Sequence, residues 1–598
     1  MTSITEDTLE QQAKLWFEEI GYSTVFGPDI APEAQDDERK DYSEVILVAR
    51  LKSAIERINT NIPSEALVEA IRQVRLFDIA NPVLQNKRCH QFLTNGVDIQ
   101  YQTNEGTKSD NIKLIDFESP DNNEFAVINQ FTIIENKNNR RPDLIVFVNG
   151  LPLSVIELKN ISDANTDIWD AFNQIQTYKK EIPTLFNYSA VTIISDGIHT
   201  KVGSLTADRE RYQVWRTIDS EELAPKSMLS LEVLIKGLFE KGRFLDFVKY
   251  FVAFEDKKDK TVKIIAGYHQ FNAVRNAIDK TITAIKKDKR IGTVWHSTGS
   301  GKSFSMVFYT GYAAQKKELE NPTIIVLTDR NDLDNQLFGQ FSRCIQVLRQ
   351  TPVQIDNRKD LREKLKVASG GVFFTTIQKF MPENKGDTFP QLSDRKNIIV
   401  IADEAHRSQY DFLDGFARNM REALPNASFV GFTGTPIATT DKDTKAVFGD
   451  YISIYDIERS IADGATVPIY YEGRLIKLSR DESVDLDDEI EELTESEDTS
   501  EAQKKRSKWS SLESLVGVQS RLAEVAKDFV AHFEARLEAM DGRAMIVCMS
   551  RRICIDLYKE IIKLRPEWHS EEDDKGALKV IMTGSASDPE EWQPHIRN

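Results

Sequence analysis

Short apolar runs separated by helical stretches recur through the central part of this 598-residue chain. They occupy residues 291–295, 324–327 and 397–402, and each is followed by polar or glycine-containing positions. Apolar runs of about four to eight residues bounded by turn signals are typical of buried strands, and their alternation with helical patterns indicates βαβ units. The pattern predicts an α/β domain with a parallel sheet over residues 261–455.

Another pair of apolar runs lies upstream and flanks Asn149-Gly150, the dipeptide most typical of a two-residue β-hairpin. Side chains alternate between the two faces of a strand, so Glu157 and Lys159 share one face. The hairpin can bring Asp143 toward Glu157. The pattern therefore predicts two carboxylates with an ammonium group beside them.

Two carboxylates and a lysine suit phosphodiester hydrolysis with Mg²⁺. Asp143 and Glu157 are the expected metal ligands, and Lys159 would position the nucleophile or stabilise developing charge. Surface charge is the alternative for such a spacing, but charged residues within apolar runs are costly to bury unless they line a site. Gln174 and Tyr178 follow, four positions apart on one helical face. An ordinary amphipathic helix is the alternative for that pair.

The apolar run at residues 291–295 leads into a glycine-rich loop at residues 296–303 and then into a helical pattern. Strand, glycine-rich turn and helix form a phosphate cradle. His296 stands where the usual pattern has its first glycine, and a helix-capping loop is the alternative. The expected nucleotide contacts are Thr298, Gly299, Ser300, Gly301, Lys302 and Ser303, of which Lys302 reaches the β and γ phosphates and Ser303 ligates Mg²⁺.

Two acidic residues, Asp403 and Glu404, follow the apolar run at residues 397–402. In open α/β sheets, ligands collect at the carboxyl ends of the strands. We expect Asp403 to hold Mg²⁺ through water and Glu404 to orient or deprotonate the attacking water. A solvated acidic loop is the alternative for this motif alone, but its occurrence about a hundred residues after the phosphate loop favours a nucleotide site.

The order of these motifs resembles the superfamily 2 helicases and translocases of the Asp-Glu-Ala-His type, most closely over residues 262–455. Tyr268-His269-Gln270 resembles the segment that reads adenine in that family, and this implies that Gln270 contacts the base. Residues 324–330 and 373–378 resemble strand-end motifs that touch a nucleic-acid backbone. Residues 433–436 resemble the element that couples the ATP state to movement on DNA.

The upstream motifs resemble the PD-ExK nuclease core, and Gln174 with Tyr178 matches the Gln-x-x-x-Tyr addition of RecB-like nucleases. A nuclease followed by a motor is the arrangement of the restriction subunit of type I restriction-modification enzymes. Other matching segments are residues 129–131, 140–143, 149–152 and 195–197. The resemblance implies RecA-like motor domains with parallel sheets, ATP and Mg²⁺ as cofactors, and double-stranded DNA, methyltransferase and specificity subunits as partners.

The predicted domains are a nuclease at residues 1–250, a first motor domain at 261–455 and a partial second motor domain at 460–598. A charged joint at residues 255–260 separates the first two. An acidic insertion at residues 481–501 is expected to be disordered or solvated. The second motor domain is expected to resume at residues 543–550 after that insertion.

The net charge of −18 is unusual for a DNA-binding protein, but much of it is local. Residues 481–501 contain twelve carboxylates and no Lys or Arg, which leaves about −6 on the rest of the chain. DNA contact would then depend on local basic patches, at residues 286–290 or at Lys137, Arg140 and Arg141, although either could be a solvated face.

Apolar stretches are shorter than the roughly 18 residues of a membrane helix, and residues 1–7 lack a basic signal region. We therefore expect a cytoplasmic protein with no membrane partner. The four cysteines show neither zinc spacing nor a disulfide framework.

We expect an ATP-dependent translocase and endonuclease that cleaves unmethylated foreign DNA away from its recognition site. We also expect a part of a longer polypeptide that binds ATP but hydrolyses it poorly, since the last helicase motifs and their arginine are missing. The alternatives are an autonomous DNA-repair helicase-nuclease and a nucleotide-gated DNA-binding clamp.

Overall fold

The structure is a computed structural model that divides into two compact units, residues 1–468 and 469–598. It describes residues 5–103, 106–160, 167–328, 331–380, 390–405, 416–435, 445, 447–474, 513, 516–572, 574–584 and 588–596. Within those ranges no helix is both long and apolar enough to cross a membrane.

The first part of the first unit is mixed α/β. In chain order its elements are α1 (Glu6–Glu19), β1 (Ser23–Phe26), α2 (Val48–Ile58), α3 (Ser64–Val74), α4 (Pro82–Asn95), β2 (Val97–Thr103), β3 (Gly106–Ile112), β4 (Phe125–Asn129), β5 (Ile133–Glu135), β6 (Asn138–Arg140), β7 (Leu144–Val148), β8 (Leu151–Leu158), α5 (Ile168–Glu181), β9 (Val191–Ser195), β10 (Thr200–Gly203), β11 (Gln213–Val214), α6 (Ser230–Leu238), α7 (Lys241–Tyr250), β12 (Val252–Asp256) and β13 (Thr261–Ile265).

Seven of these strands form one sheet in the order β1-β4-β7-β8-β9-β10-β11. The predicted hairpin joins β7 to β8, which pair antiparallel with Leu144 opposite Ile156. Asn149 and Gly150 both have positive φ, 51° and 75°, which a type I′ turn requires. Strand β8 is buried along its whole length, and α1 and α5 pack against it. The hairpin is therefore held at the centre of the sheet.

The second part of the first unit carries the phosphate-loop motifs. Its elements are α8 (Tyr268–Ala284), β14 (Arg290–His296), α9 (Lys302–Gln315), β15 (Thr323–Thr328), α10 (Asn331–Arg343), α11 (Ile345–Leu348), β16 (Pro352–Gln354), α12 (Arg358–Lys364), β17 (Val372–Thr376), β18 (Ile398–Ala402), α13 (Phe416–Ala423), β19 (Ser428–Thr433), β20 (Tyr451–Tyr455) and α14 (Ile457–Ala462).

Strands β14 to β20 form a second sheet in the order β16-β17-β15-β18-β19-β14-β20, and every neighbouring pair is parallel. This confirms the predicted α/β fold with a parallel sheet. The strand before the phosphate loop, β14, and the strand before Asp403, β18, lie on either side of β19. The carboxyl ends of all three strands therefore meet at one edge of the sheet.

In the second unit, α15 (Gln519–Ala539) and α16 (Arg551–Leu564) pack together around a small apolar cluster. The segment at residues 543–550, where the second motor domain was expected to resume, is neither helix nor strand. Ile546 and Cys548 pack against the cluster, whereas Met545 and Val547 are exposed. The acidic run at 481–501 lies outside the described residues, and the predicted domain boundaries stay predictions.

Candidate nuclease and nucleotide sites

The β7–β8 hairpin brings the predicted nuclease residues together. Asp143 immediately precedes β7, and its Oδ2 accepts a hydrogen bond of 2.8 Å from the backbone N–H of Leu158. Glu157, near the end of β8, is fully buried, and Asp143 is 8% exposed. Lys159 Nζ lies 3.2 Å from Glu157 Oε1 and donates to the Leu158 carbonyl at 2.8 Å. The structure thus places all three predicted residues in one cluster.

A third carboxylate, which sequence reasoning missed, completes the cluster. Carboxylate oxygens of Glu6, Asp143 and Glu157 lie within 4.8 Å of one another. Glu6 belongs to the first turn of α1, and its Oε1 is 3.7 Å from Lys159 Nζ. An acidic residue in a first helical turn is ordinarily explained by the helix dipole, so no sequence signal pointed specifically to Glu6.

Burial makes the charged form of this cluster unfavourable without a cation. It raises the pKa of Asp143 to about 7, with a further contribution from Glu6. Burial also raises the pKa of Glu157 well above its usual range, and the neighbouring Asp143 raises it further. Among the described residues no donor reaches Oε2 of Glu157, which is buried. Three converging carboxylates, one of which keeps a buried oxygen without a donor, fit a divalent cation such as Mg²⁺.

Gln174 and Tyr178 lie on α5, where Gln174 Nε2 donates to the Tyr178 hydroxyl at 2.7 Å. Burial raises the pKa of Tyr178, and so does the charge of nearby Glu157. The pair lines a polar cleft of about 730 Å³ together with Asp143. Other residues lining the cleft are Glu6, Asp7, Glu10, Gln130, Asn139, Arg140, Arg141, Asn173 and Thr177.

Two residues of the predicted basic patch at Lys137, Arg140 and Arg141 line the cleft. Arg140 forms an ion pair with Glu181, and Arg141 is exposed on the cleft wall. The cleft therefore combines the acidic cluster with cationic side chains at its edge, which is the charge pattern that a phosphodiester with a bound metal requires.

The phosphate loop runs from the end of β14 to the start of α9. Gly299 and Gly301 have φ of 89° and 86°, values that side-chain-bearing residues rarely adopt. A Cβ on Gly301 would lie only 2.7 Å from Gln270 Nε2. Ser300 Oγ donates to the Ser297 carbonyl at 2.6 Å, which closes the turn. The loop is therefore preshaped, with the N-terminus of α9 behind it.

The motif at residues 433–436 meets the phosphate loop at Gly434. A Cβ on Gly434 would lie 2.8 Å from Lys302 Nζ and 3.0 Å from Thr298 Oγ1. The absence of a side chain at Gly434 lets both groups approach β19 closely. Thr298 and Lys302 thus lie together, while Ser303 is in the first turn of α9. Pro436 is outside the described residues.

Asp403 and Glu404 follow β18. The Asp403 backbone N–H donates to the Leu327 carbonyl at 3.0 Å, so this turn is tied to β15. The Glu404 backbone N–H donates to Asp403 Oδ1 at 3.0 Å. Glu404 has φ of 50°, a left-handed conformation that costs on the order of 1–3 kcal/mol in a residue other than glycine. Strain of this kind is common at functional sites.

Gln270 braces the phosphate loop. Its Nε2 donates to the Gly301 carbonyl at 2.9 Å, and its Oε1 accepts from the Gly267 backbone N–H at 2.9 Å. One N–H and one lone pair of the amide remain for a ligand. The adenine contact stays a prediction.

A pocket of about 260 Å³ lies where elements of the first part of the unit meet the start of α8. Trp169, at the start of α5, lines this pocket together with Tyr268 and His269. The helix that carries Gln174 and Tyr178 therefore begins close to the first residues of α8.

The two strand-end segments that resemble nucleic-acid-contacting motifs lie side by side. Thr328 at the end of β15 pairs in register with Thr376 at the end of β17. Residues 329–330 are outside the described ranges. The role of these segments stays a prediction.

Comparison with known proteins gives each half a family. Residues 3–211 match the family described as type I restriction enzyme R protein N terminus, and residues 269–505 match the SWI2/SNF2 ATPase family. These matches agree with the resemblance to the restriction subunit of type I enzymes and with an ATPase following its N-terminal part.

Two relatives match along nearly the whole chain. The type I restriction enzyme HindI endonuclease subunit of Haemophilus influenzae is 45% identical, over 99% of this chain and 57% of that protein. The type I restriction enzyme MjaIXP endonuclease subunit of Methanocaldococcus jannaschii is 38% identical, again over 99% and 57%. A fragment of an HsdR subunit from Vibrio vulnificus superposes with a TM-score of 0.30 at 14% identity, over 74% of this chain and 72% of that chain, a similarity too low to add to the assignment.

The two family matches define a class of protein in which a restriction-type N-terminal domain precedes a SWI2/SNF2-type ATPase domain. The chain belongs to the family of endonuclease subunits of type I restriction enzymes. It spans 57% of the length of the two relatives described.

Proposed function

We propose that this chain belongs to an ATP-dependent double-stranded DNA translocase and endonuclease, the restriction subunit of a type I restriction-modification complex. It would cleave unmethylated foreign DNA away from the recognition site. The observation that carries the proposal is that one compact unit holds both a three-carboxylate cluster with Lys159 and a preshaped phosphate loop.

In the nuclease site, Asp143, Glu157 and Glu6 would hold Mg²⁺, which when bound polarises the phosphate and supplies hydroxide. Lys159, paired with Glu157, would balance the charge of the carboxylates and stabilise charge that develops on the phosphate. Because Gln174 donates to the Tyr178 hydroxyl, the proton of that hydroxyl is available to an oxygen in the cleft.

In the motor site, the backbone of residues 298–301 would surround the phosphates and Lys302 would reach the β and γ phosphates. Ser303 and Asp403 would hold Mg²⁺. Glu404, fixed by its left-handed backbone, would orient the attacking water. Gln270 would use its remaining N–H and lone pair on the adenine.

Methyltransferase and specificity subunits would choose the DNA site, in the cytoplasm. This part of the proposal rests on the names of the relatives, which are type I restriction enzyme subunits. The same names favour it over an autonomous repair enzyme. The DNA-clamp alternative requires a purely structural hairpin, and the buried carboxylates around Glu157 oppose it.

Paired variants test the two sites separately. In the complete natural protein, Lys302→Ala should lower ATP turnover by about a hundredfold or more, since one donor to a transition-state charge is worth about 10²–10³ in rate. It should leave Mg²⁺ binding in the nuclease cleft unchanged. Asp143→Ala should abolish cleavage and spare ATP turnover. Lys280→Ala, an exposed lysine on α8, is the matched control. Full ATP-driven cleavage by Lys302→Ala would contradict coupling between the sites.

A further inference from the structure

The first residue of the phosphate loop, His296, is fully buried and is joined to a polar chain that leaves the nucleotide site. Its Nε2 lies 3.1 Å from Ser453 Oγ on β20. Ser453 Oγ in turn donates to Glu221 Oε2 at 3.0 Å. Glu221 lies between β11 and α6, in the half of the unit that carries the nuclease cluster. Three hydrogen-bonding groups therefore connect that half to the loop.

The direction of these hydrogen bonds depends on the charge of Glu221, because a serine hydroxyl carries one proton. When Glu221 is ionised, Ser453 must donate to it, and the hydroxyl oxygen can then accept only from an N–H at Nε2 of His296. Nδ1 is a bare acceptor in that state. When Glu221 is protonated, it donates to Ser453, Ser453 donates to Nε2, and the ring proton moves to Nδ1.

The surroundings keep the imidazole neutral while Glu221 changes its charge. Burial lowers the pKa of His296 well below its usual range, and His269, Lys302 and Arg459 lower it further. Tyr455 and His269 pack against the ring.

Glu221 is the group that titrates. Burial raises its pKa to about 7, against the opposing effects of Ser453, Arg459 and Asn276. These are the partners that face it from β20, α14 and α8. The hydrogen-bonded chain from Glu221 to His296 therefore responds to pH near neutrality, at its Glu221 end.

We propose that Glu221, Ser453 and His296 form a relay by which the segment between β11 and α6 sets the tautomer of the first loop residue and thereby positions the loop for nucleotide. Glu221 is a positioning residue, since it acts through two others. This inference rests on the proposed binding of ATP at the loop. Nδ1 of His296 is buried and has no partner among the described residues, so the second tautomer places there a buried N–H whose cost an acceptor brought by a ligand or by a shifted loop would relieve. A donor favours an anionic ligand.

Nitrogen-15 NMR of histidine-labelled protein without nucleotide reads the tautomer directly. The His296 signal is assigned by its loss in His296→Gln. The ring should carry its proton on Nε2 at about pH 8 and on Nδ1 at about pH 6. Glu221→Gln, whose amide donates to Ser453, should hold the Nδ1–H form at both pH values.

Variants at Ser453 test the middle of the relay. Ser453→Ala should remove the pH response, and Ser453→Thr should restore it because threonine keeps the hydroxyl. Glu222→Gln, a change at the exposed neighbouring carboxylate, should behave as the natural protein. Thermal melts of each variant verify folding.

Binding of a fluorescent ADP provides the functional readout. The natural protein should bind about fivefold or more tightly at about pH 6 than at about pH 8, and Glu221→Gln should bind with the tighter value throughout. A His296 tautomer that stays unchanged, with normal nucleotide binding, would overturn the relay alone. A tautomer that switches while no nucleotide binds at any pH would overturn the proposed nucleotide function instead.

Discussion

The nuclease cluster gathers three carboxylates in a partly buried cleft, whereas the phosphate loop offers a backbone cradle that is already hydrogen-bonded. Oε2 of Glu157 has no donor among the described residues, and burial raises the pKa values of the cluster. The phosphate loop instead is closed by Ser300 and braced by Gln270. The nuclease cluster needs a cation to balance its carboxylates, whereas the phosphate loop needs only to keep its backbone conformation.

This contrast predicts that the nuclease half responds most to metal and pH. The pKa of Asp143 rises from 3.8 to about 7 on folding, so its contribution to stability is present below about pH 4 and is lost as pH rises to about 7. At about 1.4 kcal/mol per pKa unit, the free energy of unfolding in EDTA should fall by about 4 kcal/mol over this pH range. Urea unfolding at several pH values measures it.

Two additions sharpen that experiment. Mg²⁺ should remove most of the pH-dependent loss, because the cation favours the ionised carboxylates. Glu157→Gln should reduce the loss in EDTA because it removes a second carboxylate whose pKa is raised on folding, while the exposed Glu65→Gln should not. Stability in EDTA that rose with pH across this range would contradict the account of the cluster.

The shape of the phosphate loop is tested by comparing two glycines with positive φ. A Cβ on Gly301 meets Gln270, whereas a Cβ on Gly106, in the β2–β3 hairpin, meets nothing within 4 Å. Gly301→Ala should weaken nucleotide binding by about 1–3 kcal/mol, the cost of forcing a residue into a strained conformation. Gly106→Ala also forces a side-chain-bearing residue to adopt a positive φ and should leave binding nearly unchanged. Fluorescent nucleotide titration checks both, and equal losses would show that backbone strain alone explains the effect.

Replacing Glu6, the third carboxylate of the cluster, is expected to have the smallest effect of these changes. Glu6→Ala should weaken Mg²⁺ binding about tenfold, or about 1.4 kcal/mol, because two carboxylates remain. Asp7 also lines the cleft but lies outside the three-carboxylate cluster, so Asp7→Ala is the matched control. Isothermal titration with Mg²⁺ measures both variants. Equal Mg²⁺ affinities of the Glu6→Ala and Asp7→Ala variants would show that Glu6 is not a metal ligand.

Local sequence signals located most of each site. Asn149-Gly150 fixed the hairpin, and strand alternation then placed Glu157 beside Lys159. The buried runs with acidic or glycine-rich ends likewise predicted the second sheet. In these cases one turn or one strand end brings together residues that are close in sequence, so the sequence pattern predicts how their side chains are arranged.

What the sequence could not show depends on contacts between distant segments. Glu6 reaches the cluster only because α1 packs against β8, and no periodicity encodes that packing. Ser453 reaches His296 because β20 pairs with β14, and the link to Glu221 needs a loop placed between the two halves. The bracing role of Gln270 also became visible only in the hydrogen bonds.

The central claim is that cleavage is driven by ATP and directed by partner subunits. The most direct test measures cleavage of methylated and unmethylated circular DNA by the protein as encoded, with ATP and Mg²⁺, with and without the methyltransferase-specificity complex. We predict cleavage only of the unmethylated circle and only with the complex. Cleavage by the protein alone, irrespective of methylation, would contradict the account and indicate an autonomous nuclease-helicase.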